Sequence, residues 1–438
     1  MLYREITTSL MQTLDEFRIL YLTGPRQAGK TTVAKHVAAL RNMRYITLDD
    51  AGTLAAVESD PQGFLAAFGD ANLVIDEFQY APSLVYAVKQ ISDQLPPSRR
   101  GKFLLTGSAD IFRSAHTQES LPGHMARVEL YPLSVTEKLG LPSTEKNIID
   151  YLFSAGYLND TPNENDASSI QKPPMRTQLA EWVLAGGFPE VQSKSLRSQS
   201  LWYSSYIQGR LLKDFESIYT ARGDYHAKLL ALIPYLAGLS GNLLKYASVG
   251  NDLAQDSRVV KSYMDALEWM FLIKRLSPYT NNLSKREVVG MHKLHLIDTG
   301  LACHLLGLRT VDQLLFSSQY GGLLENFVLM ELYKHLAYSD EIVSLHHFRD
   351  TQRNEVDIVL AGGGLGAGNL GAKNIVGIEI KASSSVSAQD FKGLSQLAEY
   401  AGSRFKHGLL LYSGDWVLPF KIEGRTFHAV PFAALFRA

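Results

Sequence analysis

The sequence predicts an α/β protein in which a parallel sheet wrapped by helices comes first. A helical middle and a second α/β unit follow it. Short apolar strands alternate with helical patterns over residues 1–140, which is typical of a parallel sheet. Residues 177–310 are mainly helical in pattern, and residues 311–438 again combine strands with helices. A polar stretch with two adjacent prolines at 141–176 separates the first two parts, and we interpret it as a linker or insertion.

Apolar runs and helical periodicity locate the elements of the first part. Strands are expected at 18–23, 44–48, 72–76, 102–107 and 127–131, and helices near 30–41, 61–68, 83–95 and 134–139. In a sheet of this kind a nucleotide binds at the carboxyl ends of the strands. The functional residues of this part are therefore expected directly after its strands.

The first strand leads into a complete phosphate-binding motif, G-x-x-x-x-G-K-[ST], and a helix follows it. Gly24 and Gly29 allow backbone N–H groups to turn toward phosphate oxygens. Lys30 is placed to reach the β- and γ-phosphates, and the hydroxyl of Thr31 is placed to ligate Mg²⁺. The N-terminus of the helix adds its positive dipole end. We expect this loop, with the neighbouring Thr32, to bind a nucleoside triphosphate and Mg²⁺.

Two further strands of this part end in polar side chains. Asp76 would help to hold Mg²⁺, and Glu77 would polarise the attacking water as a general base. Thr106 or Ser108, after the strand at 102–107, would sense the γ-phosphate. The alternatives are an acidic pair that caps a strand end and an ordinary strand-end turn.

Composition limits the classes of function. The 438 residues allow two or three domains, and a formal net charge of −1 gives no global attraction to nucleic acid or anionic lipid. The single cysteine, Cys303, excludes an internal disulfide framework and suits a reducing, cytoplasmic location. The most apolar stretch, 229–244, is interrupted by Pro234 and is shorter than the ~20 residues that span a bilayer. We expect no membrane partner.

The pattern from Val249 to Tyr279 resembles a winged helix-turn-helix. We predict a short helix at 252–255, a turn at 256–257, a longer helix at 259–271 and a wing that begins at 273–276. Between residues 258 and 293, seven basic residues outnumber three acids. They are Arg258, Lys261, Lys274, Arg275, Lys285, Arg286 and Lys293, against Asp265, Glu268 and Glu287. A DNA-backbone footprint and the solvated basic face of a packing module both remain open.

The last part of the chain places three acids and a lysine on neighbouring elements. Glu325 falls in a helical pattern, Asp357 on a strand, and Glu379 and Lys381 on one face of the returning strand. Carboxylate oxygens suit Mg²⁺ or Mn²⁺, and a nearby lysine would orient water or offset phosphate charge. We predict a second metal site there with Lys381 as its catalytic lysine. The alternative is charged residues on the open face of a hairpin.

This order of Glu, Asp and Glu-x-Lys resembles the PD-(D/E)XK nuclease superfamily. The whole chain resembles a bacterial and archaeal family of AAA+ ATPases that joins a P-loop domain to a C-terminal nuclease-like domain of unknown function. The segments that carry this resemblance are LTGPRQAGKTT (22–32), LVIDEFQYAP (73–82), LLTGSAD (104–110), LYPLS (130–134), GGFPE (186–190), LIDTGLA (296–302), LLENFVLMEL (323–332), NEVDIVL (354–360) and IEIKAS (378–383). The resemblance implies ATP and Mg²⁺ as cofactors, and a homo-oligomer in which a neighbouring subunit supplies an arginine.

The sequence also departs from that family. Relatives usually have a Gly-Arg pair before the LYPLS segment, whereas here His124 follows Gly123. Arg113 and Arg127 are therefore both candidates for a transition-state arginine, and a surface role stays open for each. The glycine-rich loop at 362–371 is longer than the usual turn of the family.

The sequence is compatible with three functions. The first is an ATPase coupled to a nuclease-like C-terminal domain that binds or cuts DNA. The second is a nucleotide-dependent switch or remodelling ATPase whose C-terminal domain is catalytically inactive and recognises a protein or nucleic-acid partner. The third is a signalling ATPase that binds a protein partner.

Overall fold

The computed structural model describes most of the chain, with residues 2–108, 125–140, 147–154, 176–212, 215, 225–280, 288–363 and 372–433. Several predictions fall outside these residues: Arg113, the Gly123–His124 departure, Lys285, Arg286, Glu287, and most of the linker and of the glycine-rich loop.

The N-terminal domain is a parallel five-stranded sheet, as the sequence predicts, and its strand order is β2-β3-β4-β1-β5. Helices α1 and α2 pack on one face, and α3, α4 and α5 pack on the other. Helices α1 and α3 were not among the predicted elements. The elements are α1 (Ile6–Glu16), β1 (Ile19–Thr23), α2 (Lys30–Arg41), β2 (Arg44–Thr47), α3 (Ala51–Ser59), α4 (Pro61–Ala66), β3 (Leu73–Asp76), α5 (Leu84–Gln94), β4 (Phe103–Gly107), β5 (Met125–Glu129) and α6 (Val135–Leu139).

Strands β1, β3 and β4 are buried along their whole length. Helices cover both faces of this sheet, which explains why these strands are continuous apolar runs and not alternating patterns. Because the strands are parallel, the carboxyl ends of β1, β3 and β4 lie at one edge. This edge brings the phosphate loop and the polar strand ends together.

The middle of the chain is helical and contains a small antiparallel sheet in the order β6-β8-β7. Its two-helix unit, α11 and α12, is followed by the antiparallel hairpin strands β7 and β8, which residues 277–292 connect. The elements are α7 (Ile148–Phe153), α8 (Arg176–Ala185), α9 (Leu196–Ser205), α10 (Tyr225–Gly238), β6 (Asn242–Leu243), α11 (Tyr246–Asp252), α12 (Ser257–Trp269), β7 (Ile273–Leu276), β8 (Lys293–Leu296), α13 (Thr299–Leu305) and α14 (Val311–Leu315).

Two details of this region correct the sequence predictions. The short helix predicted at 252–255 is wrong, because α11 already ends at Asp252 and Ala254 adopts a left-handed φ of 51°. The carboxylate of Asp256 then accepts a hydrogen bond from the N–H of Arg258 and caps α12. Helix α7 lies inside the predicted linker, yet its apolar side chains join the core of the C-terminal domain.

The C-terminal domain is a mixed six-stranded sheet in the order β13-β14-β12-β11-β10-β9. Helix α15 packs on one face and α16 on the other, and a bulge in β10 puts Val356 and Val359 on the same face. The elements are α15 (Tyr320–Leu336), β9 (Val343–Arg349), β10 (Glu355–Gly362), β11 (Asn374–Lys381), α16 (Lys392–Ala401), β12 (Phe405–Tyr412), β13 (Leu418–Ile422) and β14 (Arg425–Pro431). Among the helices of the described ranges, none combines the length and the apolar character that crossing a bilayer requires.

Candidate nucleotide site and a second charged cluster

The phosphate loop is a tight turn that joins β1 to α2. Gly24 and Gly29 have φ values of 144° and 100°, and a Cβ at Gly24 would lie 2.1 Å from the carbonyl oxygen of Leu130. Only glycine fits at position 24 for this reason. Lys30 is 5% exposed, and its ammonium donates hydrogen bonds to the carbonyls of Gly24 (2.9 Å) and Pro25 (2.8 Å). The lysine head therefore lies against the loop that would hold phosphate.

Asp76 is the centre of a hydroxyl cluster that joins four segments. Its carboxylate accepts hydrogen bonds from Thr31 Oγ1 at 2.9 Å, from the phenol of Tyr45 at 2.6 Å, and from Thr106 Oγ1. Burial, with the neighbouring Asp76 carboxylate, raises the pKa of the Tyr45 phenol. The arrangement places Thr31 and Asp76 side by side, so their oxygens are close enough to share one cation.

Glu77 follows β3 with a left-handed backbone (φ 56°), and its N–H donates to Thr106 Oγ1 at 3.2 Å. Residues held in this region of φ/ψ space concentrate at functional sites. The Gln79 amide donates to the carboxylate of Glu77 and, at 3.1 Å, to Ser108 Oγ. The structure thus links Glu77 to Ser108 through Gln79.

The predicted nucleotide-site residues thus lie at one edge of the sheet. Thr32 is exposed on the first turn of α2. Arg127 pairs with Glu129 at 2.7 Å within its own strand.

Sequence reasoning missed three residues that shape this site: Arg4, Tyr45 and Gln79. The guanidinium of Arg4 donates to the carbonyls of Ala28 (2.6 Å) and Tyr131 (2.7 Å), and its Nε donates to Glu137 (2.9 Å). Tyr45 is on a strand with no recognisable motif. Gln79 lies two residues after the acidic pair, and this proximity was the available signal for it.

The C-terminal acids do come together, but they do so around a lysine that was not predicted there. The ammonium of Lys293, which is 1% exposed, lies 3.0 Å from Glu325 Oε1, 3.0 Å from Asp357 Oδ1 and 2.6 Å from Glu355 Oε1. Burial acts to lower the pKa of Lys293, but the surrounding carboxylates, Asp357 first, outweigh it and raise that pKa well above its ordinary value. Burial and the nearby Asp357 charge raise the pKa of Glu379.

Lys381 forms its ion pair outside this cluster. Its ammonium pairs with Asp390 at 2.5 Å, and it is about one-third exposed. In the part of the chain that the structure describes, no group of three or more His, Cys, Asp or Glu side chains has the geometry to hold a metal ion. The predicted set of Glu325, Asp357 and Glu379 therefore meets without forming a metal centre, because Lys293 supplies the positive charge.

Three of the seven basic residues counted between 258 and 293 have carboxylate partners inside the protein. Lys274 lies 3.5 Å from Glu129 in the N-terminal domain. Arg275 pairs with Asp265 at 2.7 Å and with Glu268. Lys274 and Arg275, like the buried Lys293, therefore form ion pairs within the protein. A count of basic residues along the sequence cannot distinguish such internal pairs from a phosphate-binding surface.

Comparisons with known proteins agree with the N-terminal assignment. A family model described as an AAA domain matches residues 16–139. Two models of domains of unknown function, DUF8612 and DUF4143, match residues 176–312 and 320–435. Uncharacterized proteins of Mycobacterium bovis and Mycobacterium tuberculosis are each 26% identical over 357 residues, which cover 81% of this chain and 70% of theirs.

Solved structures include similar chains with low superposition scores. The Walker-type ATPase PABY2304 of Pyrococcus abyssi has 15% identity and a TM-score of 0.42, and the match covers 70% of this chain and 96% of that one. A variant of RuvB from Thermotoga maritima has 16% identity and a TM-score of 0.28, with 62% and 88% covered. By the matched family models, the chain is similar to AAA-type ATPases in its first domain and to a domain of unknown function in its last.

Proposed function

We propose that the protein binds ATP with Mg²⁺ at the phosphate loop and hydrolyses it, and that the nucleotide state controls the C-terminal domain. One observation carries the proposal: Lys30, Thr31, Asp76, Glu77 and Thr106 meet at the carboxyl edge of the first sheet. These are the side chains that phosphate binding, metal binding and water activation require.

The donor set fits Mg²⁺. A hydroxyl and a carboxylate, from Thr31 and Asp76, lie 2.9 Å apart, and both are the hard oxygen ligands that this ion prefers. When bound, the ion would neutralise charge on the phosphates. Lys30 and the loop N–H groups would hold the β- and γ-phosphates, and Glu77 would accept the proton of the attacking water.

Contacts between the domains support control of the C-terminal domain by the nucleotide. The loop that follows β5 is the centre of these contacts. The N–H of Leu133 donates to the carbonyl of Gly187 at 2.8 Å, and the N–H of Val135 donates to Glu331 on α15 at 3.0 Å. Arg4 ties the same region to Ala28 of the phosphate loop. A change in the loop therefore has a continuous path of contacts to α15.

The test is Glu77→Gln. We expect unchanged ATP binding by calorimetry and a turnover rate lower by about 10²- to 10⁴-fold, since that is the usual contribution of a general base. The matched control is Glu58→Gln on exposed α3, for which turnover should equal that of the wild type. Equal turnover of Glu77→Gln and the wild type would refute the role of Glu77. No heat of binding for a folded wild type would refute the nucleotide site itself.

Nuclease activity is a second candidate, favoured by one observation. Glu325, Asp357 and Glu379 meet on a helix, a hairpin strand and the strand paired with it, in the order that the nuclease resemblance implies. Plasmid nicking with Mg²⁺ or Mn²⁺ tests this candidate. Loss of cleavage in both Lys381→Ala and Asp357→Ala would support it. No cleavage of duplex, branched or single-stranded DNA by the wild type would leave the C-terminal domain as an inactive recognition module.

A homo-oligomer and DNA binding are further proposals, and both rest on the resemblance to AAA+ ATPases with a nuclease-like C-terminal domain. Sedimentation of the protein with and without an ATP analogue tests the oligomer, with a nucleotide-dependent increase in mass as the expected result. Fluorescence anisotropy with labelled duplex at ~0.15 M salt tests DNA, because a contact made only to phosphates weakens steeply there. No affinity at that salt would favour a protein partner.

A further inference from the structure

Lys293 and the acids around it come from different parts of the fold. The lysine is the first residue of β8, in the small sheet of the middle region. Glu325 lies on α15, and Glu355 and Asp357 lie on β10 of the C-terminal sheet. All three carboxylates are within 3.0 Å of the one ammonium. The cluster is therefore an ionic contact between two structural units, in which the ammonium of Lys293 is buried and Glu355 stays partly exposed.

The acidic side chains of this cluster need a cation to balance their negative charge. Glu379 lies next to the three acids, and its Oε2 atom is buried without a hydrogen-bond partner among the described residues. Arg349 pairs with Glu355 at 2.7 Å from the more exposed side. The other oxygen of Asp357 accepts the N–H of Ile380 at 3.0 Å. Among the described residues, Lys293 is thus the cation that faces the buried side of the acidic group, and its removal would leave that side without positive charge.

A divalent metal does not fit the cluster as it stands. The separations of 2.6 to 3.0 Å are hydrogen-bond lengths to nitrogen, whereas Mg²⁺ requires oxygens at about 2.0–2.1 Å. The ammonium occupies the point on which Glu325, Asp357 and Glu355 converge. Over the described ranges no alternative group of ligands for a metal is found. The nuclease resemblance implies a metal at this place, and the structure holds a lysine there.

We propose that Lys293 is the resident cation of this cluster, that it excludes divalent metal, and that it fastens the middle hairpin to the C-terminal sheet. The carboxylates accept a divalent cation only when the ammonium of Lys293 is withdrawn. The C-terminal domain is then closed to metal in this conformation. Any displacement of β8 relative to β10 would open it. This role of Lys293 is independent of ATP hydrolysis at the phosphate loop.

The experiment titrates nucleotide-free, full-length protein with Mn²⁺ and measures free Mn²⁺ by electron paramagnetic resonance. Lys293→Met removes the ammonium and its charge and keeps an unbranched side chain that is one atom shorter. We expect Lys293→Met to bind one equivalent of Mn²⁺ more than the wild type, and this additional equivalent should disappear when Asp357→Asn is added. Lys261→Met, on an exposed position of α12, is the matched control and should behave like the wild type.

A melting experiment covers the case in which Lys293→Met folds poorly, since its buried acids lack a counter-charge. The double variant Lys293→Met/Glu355→Gln removes one positive and one negative group, and Mn²⁺ should raise its melting temperature more than that of the wild type. A wild-type Mn²⁺ site that is lost in Asp357→Asn would overturn the proposal. Folded Lys293→Met, or the folded double variant, without this additional Mn²⁺ binding would overturn it as well.

Discussion

Arg4 and Ala28 are 24 residues apart, yet the guanidinium of Arg4 donates a 2.6 Å hydrogen bond to the carbonyl oxygen of Ala28 inside the phosphate loop. The same guanidinium is paired with Glu137, and both side chains are buried. Glu137 also accepts hydrogen bonds from the N–H groups of Glu5 and Ser134, at 3.0 Å each. Hydrogen bonds thus connect the phosphate loop to Arg4 and, through Arg4, to Glu137 in the N-terminal turn of α6.

We expect Arg4→Met to lower the free energy of unfolding by about 3–5 kcal/mol, because it leaves the buried Glu137 carboxylate without its cation. Urea denaturation measures this loss. Nucleotide affinity of the folded variant should also fall, since the Ala28 carbonyl loses its partner. Arg41→Met breaks a solvent-exposed pair with Asp15 and serves as the control, with a much smaller effect. Equal losses for the two variants would contradict the role of Arg4.

Gly24→Ala should abolish nucleotide binding and destabilise the N-terminal domain. A Cβ there would meet the Leu130 carbonyl at 2.1 Å, and the φ of 144° is unfavourable for alanine. Gly321→Ala is the matched control, since no atom lies within 4 Å of its Cβ and it occupies the helix α15. That change should stabilise the protein by roughly 0.5–1 kcal/mol. Thermal melting and calorimetric titration with ATP measure both effects.

Arg275→Met should affect stability more than DNA affinity. Its side chain is engaged with Glu268, with Asp265 and, at 2.8 Å, with the hydroxyl of Tyr246. Loss of hydrogen bonds to charged partners costs about 1.5–3 kcal/mol. The exposed Arg258→Met should leave the urea midpoint close to that of the wild type. If Arg275→Met instead keeps full stability and weakens duplex binding at ~0.05 M salt, the basic residues of this region act as a nucleic-acid surface.

His347→Gln should make the protein less sensitive to acid. Burial, with a smaller effect from the charge of Lys293, lowers the pKa of His347 from 6.5 to about 3. Between these values the unfolded chain binds a proton that the folded protein does not. The contribution of His347 to the free energy of unfolding should then fall by about 1.4 kcal/mol for each unit of pH below 6.5.

The histidine variant should lose this one-proton slope, as measured by urea denaturation at pH 7, 6 and 5. His36→Gln, at an exposed position of α2, should keep it. An unchanged slope in His347→Gln would mean that the proton is taken up elsewhere.

The sequence by itself determined the features that depend on neighbouring residues. The strand, glycine loop and helix at 19–41 follow from one short motif and its apolar flanks, and the predicted helix 30–41 matches α2. The burial of β1 and β3 was readable from uninterrupted apolar runs, because strands covered on both faces need no polar positions. The acidic pair at 76–77 was located by its position after β3.

Only the tertiary structure decided which charges meet. Lys293 pairs with Glu325 and Asp357 across 32 and 64 residues, and Arg4 pairs with Glu137 across 133. A lysine has the same sequence signature whether it faces phosphate, solvent or buried carboxylates. Desolvation and the packing of β8 against α15 and β10 select among these outcomes, and both are properties of the folded chain. For this reason the sequence left phosphate, metal and packing roles open for these residues, and the structure pairs Lys274, Arg275 and Lys293 with carboxylates inside the protein.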